Sequence, residues 1–350
     1  MSEPVVIVSL GACTSLGRDA WSSAAAVRAG LSGFTQHPFM VDGVGAPMHV
    51  AMAPWLDVRL NGVARLAALL MPAIDQALEP VAGHIQRDRT AIALGLPPPR
   101  PGVPPALTNP LMAQIAERHG SLFGSAAAFA SGHAGALQAM QAGWTKLSQG
   151  ALDACLIAGV DSYLEPDTLE WLEDQDQLHG AGPLNNAWGL VPGEAGAALM
   201  LMRASVAQAA GVPVLATVLG TGIAHEPHRI KTDSVCLGEG LTQALRAALG
   251  ALPAGSLVSD LYGDMNGEPY RADEFGFAAL RVKEHFEGVS DFIAPADCWG
   301  DVGAAGGVLH AMLATVAGYK GYAKGPLAMT WASSESGERA AALLATRMGA

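Results

Sequence analysis

Short apolar runs alternate along the chain with stretches in which apolar residues return every three or four positions. The runs at residues 5–10, 90–94, 154–159 and 197–202 have the length of buried strands, and the 3.6-residue pattern predicts helices near 19–28, over 63–78 and over 134–149. The alternation continues with strands at 214–222 and 257–259 and helices near 237–249, at 271–286 and at 304–317. A hairpin of 327–332 and 340–346 closes the chain across Ser333-Ser334-Glu335-Ser336-Gly337-Glu338. Strands and helices in this order predict a layered α/β protein. No sequence repeat is visible between the two halves.

With 350 residues, half of them hydrophobic, the chain can bury a large core. Its 32 acidic against 20 basic residues give a net charge of −12, and the absence of a basic run argues against a nucleic-acid partner. No apolar run reaches the roughly 18–20 residues that span a bilayer. The first apolar stretch lacks a preceding basic segment, so it is expected to be strand one of a cytoplasmic protein and not a signal peptide. Cys13, Cys155, Cys236 and Cys298 have no paired spacing, so neither a disulfide framework nor a metal site is expected.

The most informative stretch is Phe129-Ala130-Ser131-Gly132-His133, a sharp turn between the small-residue run 124–128 and the helical pattern from Ala134. A side chain at such a turn sits at a helix N-terminus, where backbone N–H groups favour a thiolate or an oxyanion. Phe129 has no lone pair to offer.

This turn, the opening run with Gly11-Ala12-Cys13-Thr14-Ser15-Leu16-Gly17, the segment Gly189-Leu190-Val191-Pro192-Gly193-Glu194-Ala195-Gly196 and the later Gly303-Ala304-Ala305-Gly306-Gly307 together resemble a β-ketoacyl synthase. The resemblance implies the thiolase-like fold, two similar α/β halves at 1–205 and 206–350 in a layered αβαβα architecture, and a dimer. Condensation in that family needs a cysteine, two histidines, a lysine and a glutamate. By alignment those positions fall on Phe129, on Tyr262 or Leu261, on Asp301, on Ala296 and on Leu309, which implies a degenerate site. The family's Gly-Phe-Gly-Gly loop is replaced by 333–337.

The candidate pocket residues are Phe129, Ser131, His133, Asp264, Cys298, Asp301 and Glu335. Ser131 is expected to cap the following helix, and His133 needs a positioned partner before it can act as a base. Cys298 is the one thiol placed near the family pocket. Asp264, Glu268, Asp273 and Glu274 lack the ligand spacing of a calcium loop and read as a turn plus helix start. A different site could form if Asp260, Asp264, Asp301, Glu335 and His225 or His228 converged. Residues 97–105, rich in proline, read as a stiff surface loop or a docking strip.

No metal and no cofactor are expected. The resemblance implies a ketosynthase-like pseudoenzyme acting as a binding or accessory protein, and the overall pattern with the 266–271 segment is similar to thiolase-like proteins associated with type VI secretion effectors. Two alternatives stay open. One is a chain-length-factor-like partner of an active ketosynthase. The other is an acyltransferase-type enzyme with a remodelled site that uses acyl-CoA or acyl carrier protein. The partner is accordingly a second copy, a ketosynthase-like chain or a secreted effector.

Overall fold

The computed structural model describes residues 3–183 and 185–346. The first half runs β1 (Val5–Thr14), α1 (Ala20–Arg28), a hairpin of β2 (Thr35–Val41) and β3 (Pro47–Val50), α2 (Gly62–Leu78), β4 (Thr90–Gly95), α3 (Thr108–His119), β5 (Ser125–Phe129), α4 (Gly135–Ser148), β6 (Ala154–Ser162), α5 (Pro166–Asp174) and β7 (Glu194–Arg203). The chain continues through α6 (Ala204–Ala210), β8 (Ala216–His225), α7 (Glu239–Leu249), β9 (Asp260–Gly263), α8 (Pro269–Leu280), β10 (Phe292–Ile293), α9 (Ala296–Trp299), α10 (Gly306–Tyr319), β11 (Leu327–Ser333) and β12 (Glu338–Ala345).

Ten strands join in the order β10-β9-β11-β12-β8-β1-β7-β6-β4-β5. The duplication invisible in the sequence is plain here. Each half orders its five strands third, second, fourth, fifth, first, with the same parallel and antiparallel senses. The halves meet where Val5, Val6 and Ile7 of β1 pair with Val218, Thr217 and Ala216 of β8.

Helices α4 and α10 form the middle layer, touching strands of both halves, while α2 covers β1 and β7 and α7 covers β8 and β12 from outside. This is the layered αβαβα architecture. The sequence of α10 explains its place: it is apolar all round and buried from Gly306 to Gly318, as a helix between two sheet faces must be.

Several element bounds differ from the expectations. The strand expected at 257–259 begins later, because the parallel ladder with β11 opens at Ala328↔Asp260 and Val258 makes only an isolated bridge to Phe286. The helix expected over 271–286 stops at Leu280; a short 3-10 turn, Lys283–His285, then lets the His285 carbonyl accept the Val258 N–H at 2.9 Å. Helices α3 and α5 and the β2–β3 hairpin carry weaker apolar patterns and were not anticipated.

Candidate functional site

The site is built where the first turns of the two middle-layer helices face each other. Gly132, with φ +73°, turns the chain from β5 into a 3-10 turn (Gly132–Ala134) that continues as α4. The equivalent turn Gly303–Ala305 leads into α10. Gly303, at φ +47°, is required twice over: an added Cβ would lie 2.1 Å from Asp161 Oδ2, so only glycine lets that carboxylate reach the Ala304 N–H, 3.0 Å away.

Across this junction His133 Nε2 lies 2.9 and 3.0 Å from the two carboxylate oxygens of Asp301, and both residues are buried. Asp301 also accepts from Asn266 Nδ2 at 2.7 Å and from the Gly303 N–H at 2.8 Å. Burial alone would raise its carboxyl, but the contact with His133, together with Arg271 and Asn266, holds it far below the usual carboxylate range. Arg271, itself buried, donates to Asp264 Oδ2 at 2.7 Å and to the Ser333 carbonyl at 3.0 Å, and its Nη2 comes within 3.3 Å of His133 Nε2. Lys231 extends the network by pairing with Glu268 at 3.0 Å and Glu335 at 2.5 Å. His310, on α10, is driven down to about 4, chiefly by burial.

Two cavities flank His133. The larger, about 340 Å³, is roofed by Pro98, Pro99 and Pro101 and lined by Arg100, Tyr163, Trp171, Ser131, His133 and residues 334–336. Arg100 is held by Asp161 at 2.6 Å and stacks 4.1 Å from the Tyr163 ring centroid. The smaller, about 20 Å³, lies among Asp264, Asn266, Asp301, His133 and His310. The proline-rich segment is thus a cavity wall pressed on the elbow, where an added Cβ on Gly132 would meet Pro98 Cδ at 3.1 Å.

The anticipated residues divide into three groups. Ser131, His133 and Glu335 line the larger cavity, and Asp264 and Asp301 meet beneath it. Phe129 ends the edge strand, half-buried against the main core and outside both cavity linings. Tyr262 and Leu309 are core, and Ala296 opens α9.

Other expectations are corrected. Ser131 does not cap α4, since its hydroxyl is engaged by Gln138; the Ala134 N–H is instead accepted by Ser334 Oγ at 2.9 Å. Cys298 is buried outside both linings, and burial pushes its thiol up, opposite to what reactivity needs. The expected convergence of Asp260, His225 and His228 on the pocket does not occur: Asp260 accepts from the Lys324 N–H, His225 sits against Gly337, and the His228 N–H is held by Glu226. Asp264 and Glu268 face Arg271 and Lys231, so cationic side chains occupy the place a cation would take. Carboxylates and a thiol gather instead at Glu226, Cys236 and Glu274, where Arg339 already pairs with Glu274 at 2.6 Å.

Arg100, Lys231, Asn266, Arg271 and His310 were missed as site residues. His310 had a signal, being the one histidine in a helix that holds no Asp, Glu, Lys or Arg.

The family described as "Beta-ketoacyl synthase, N-terminal domain" matches residues 100–207. Solved structures match over the whole chain: the ishigamide ketosynthase/chain length factor at 17% identity and TM-score 0.80, covering 99% of this chain and 100% of that one, and the AntDE:AntF complex of a type II PKS acyl-carrier protein with its ketosynthase bound to the hexaketide at 14% and 0.79, covering 100% of both. A β-ketoacyl synthase from Burkholderia phymatum STM815 matches at 16% and 0.73, covering 99% of this chain and 100% of that one. No curated protein matches the sequence. Residues 100–207 thus resemble the β-ketoacyl synthase N-terminal domain, and the whole chain has the fold of these ketosynthases. No helix among the described residues is long and apolar enough to cross a membrane.

Proposed function

We propose that this chain keeps the ketosynthase scaffold as a binding or accessory protein and does not carry out condensation. The observation that carries the reading is the content of the elbow region. Phe129 stands at the aligned nucleophile position, and the aligned position of one family histidine holds the carboxylate Asp301. Around the two cavities the carboxylates Asp161, Asp264, Glu268, Asp301 and Glu335 outnumber the cations Arg100, Lys231 and Arg271. A malonyl carboxylate entering this field meets like charge, and neither aligned family position, 262 or 301, holds a histidine to decarboxylate it.

The test is incubation with malonyl-CoA and butyryl-CoA, with intact mass and carbon dioxide release as readouts. Unchanged mass and no release support the reading; an acyl adduct on Ser131, or decarboxylation, overturns it.

A second reading is favoured by one observation, the full-length likeness to the ishigamide ketosynthase/chain length factor. In that reading the chain pairs with an active ketosynthase as its non-condensing subunit. The finer role in loading type VI secretion effectors rests on the 266–271 segment, whose Asn266, Glu268 and Arg271 are buried inside the charge network. Co-purification from the source cell separates these partners.

A further inference from the structure

His133 is held through one ring nitrogen only. Nε2 faces the Asp301 carboxylate, an acceptor, at 2.9 and 3.0 Å and Arg271 Nη2, a donor, at 3.3 Å; the two shorter contacts to the acceptor favour the proton on Nε2. Nδ1 then carries the lone pair, and it has no hydrogen-bond partner among the described residues. It is also not among the buried polar atoms sealed from solvent. The same ring forms part of the wall of the 340 Å³ cavity. A carboxylate that orients an imidazole, with the second nitrogen open to a cavity, is the arrangement of a general base and its positioning group. Asp301 and His133 come from the two different halves, so packing of the halves assembles the pair.

The rest of the wall indicates what such a base would act on. Arg100, in the same wall, is tied through Nη2 to Asp161 at 2.6 Å and to the Ser162 carbonyl at 2.9 Å, so its charge is already paired and does not call for an anionic ligand. Three prolines with Tyr163 and Trp171 supply apolar surface for a short chain. The surplus of carboxylates disfavours an anionic ligand.

We propose that His133, positioned by Asp301, acts as a general base in this cavity on neutral short-chain thioesters or esters, which the protein hydrolyses. This rests on the non-condensing reading above. Nδ1 takes a proton from water as the water oxygen bonds to the carbonyl carbon. The tetrahedral adduct then breaks its carbon–sulfur bond, the thiolate takes the proton back from Nδ1, and the products are a carboxylic acid and a thiol. No covalent enzyme intermediate forms, because neither Ser131, engaged by Gln138, nor Phe129 attacks.

The experiment uses the full chain with butyryl-N-acetylcysteamine, a neutral thioester, following butyrate and thiol by proton NMR and the protein by intact mass. Turnover above buffer with unchanged mass is expected, falling about a hundredfold in His133→Gln. Asp301→Asn should lower kcat with KM kept, as a positioning role requires. In the wild type, nitrogen–proton correlation spectra should place the His133 proton on Nε2. Should His133→Gln fail to fold, the wild-type measurements still decide: no turnover above buffer, or a proton fixed on Nδ1, overturns the proposal. An acyl adduct would instead overturn the non-condensing reading, so the two failures are distinct.

Discussion

His133 and Asp301 stand 168 positions apart in the chain, yet the imidazole and the carboxylate meet at 2.9 Å on equivalent turns of the two halves. The contact ties the α4 turn to the turn before α10, and Arg271 and Asn266 converge on the same spot. A buried charge that loses its partner costs far more than an exposed one. Asp301→Asn should therefore lower unfolding stability by about 3–5 kcal/mol, read from urea denaturation at neutral pH. A loss below about 1 kcal/mol, the size expected of an exposed pair, would show that the network is solvated.

His310 makes stability depend on pH in mild acid. Its folded value near 4 lies below the ordinary 6.5, so between those values the unfolded chain binds the proton that the folded chain refuses. Stability from this group is complete above about pH 6.5 and falls as pH drops toward 4, by about 3 kcal/mol in all. Urea midpoints at pH 7.5 and 5.0 should differ in the wild type, and the difference should shrink in His310→Gln. Asp301 acts lower on the scale, since its depressed carboxyl keeps its pairing through this window.

Phe129→Cys should not restore condensation. The substitution trims a half-buried ring packed against the core, and a loss of about 1–3 kcal/mol is expected from the apolar area removed. The new thiol would find no imidazole pair at the aligned positions 262 and 301. Recovery of malonyl decarboxylation in this single variant would show that the chemistry resides elsewhere in the site.

The outer strand β5 offers an open edge. Ser125 to Ala128 are exposed, and only β4 pairs with this strand among the described residues; small side chains on an unpaired edge admit a second backbone closely. Light scattering at micromolar concentration should report a particle near twice 35.8 kDa, and Ala127→Lys should shift it to monomer without unfolding. A wild-type monomer that persists on concentration would count against pairing through this edge.

How much was legible in the sequence follows from the range of the interactions involved. Local patterns were enough for β1, β6 and β7, whose apolar runs are buried on both faces, and for α1, where Asp19 accepts the Trp21 and Ser22 N–H groups at 2.9 Å as an N-cap. They failed where a ladder partner sets the start of a strand, as β11 does for β9, and where a helix is polar overall and buries few residues, as α3 buries only Leu111 and Ile115.

The sequence by itself determined the alternation of strands and helices and the elbow at Gly132 with Phe129 before it, and it singled out His133 and Asp301 as candidates. Only the tertiary structure decided that those two residues form one buried pair, that Ser334 and not Ser131 caps α4 from 200 positions away, and that a proline segment roofs the cavity. The physical reason is the same in each case. Propensity, turns and caps act over a few residues and leave a mark in the local pattern, whereas a hydrogen bond between the halves depends on how the two halves of the sheet pack around α4 and α10.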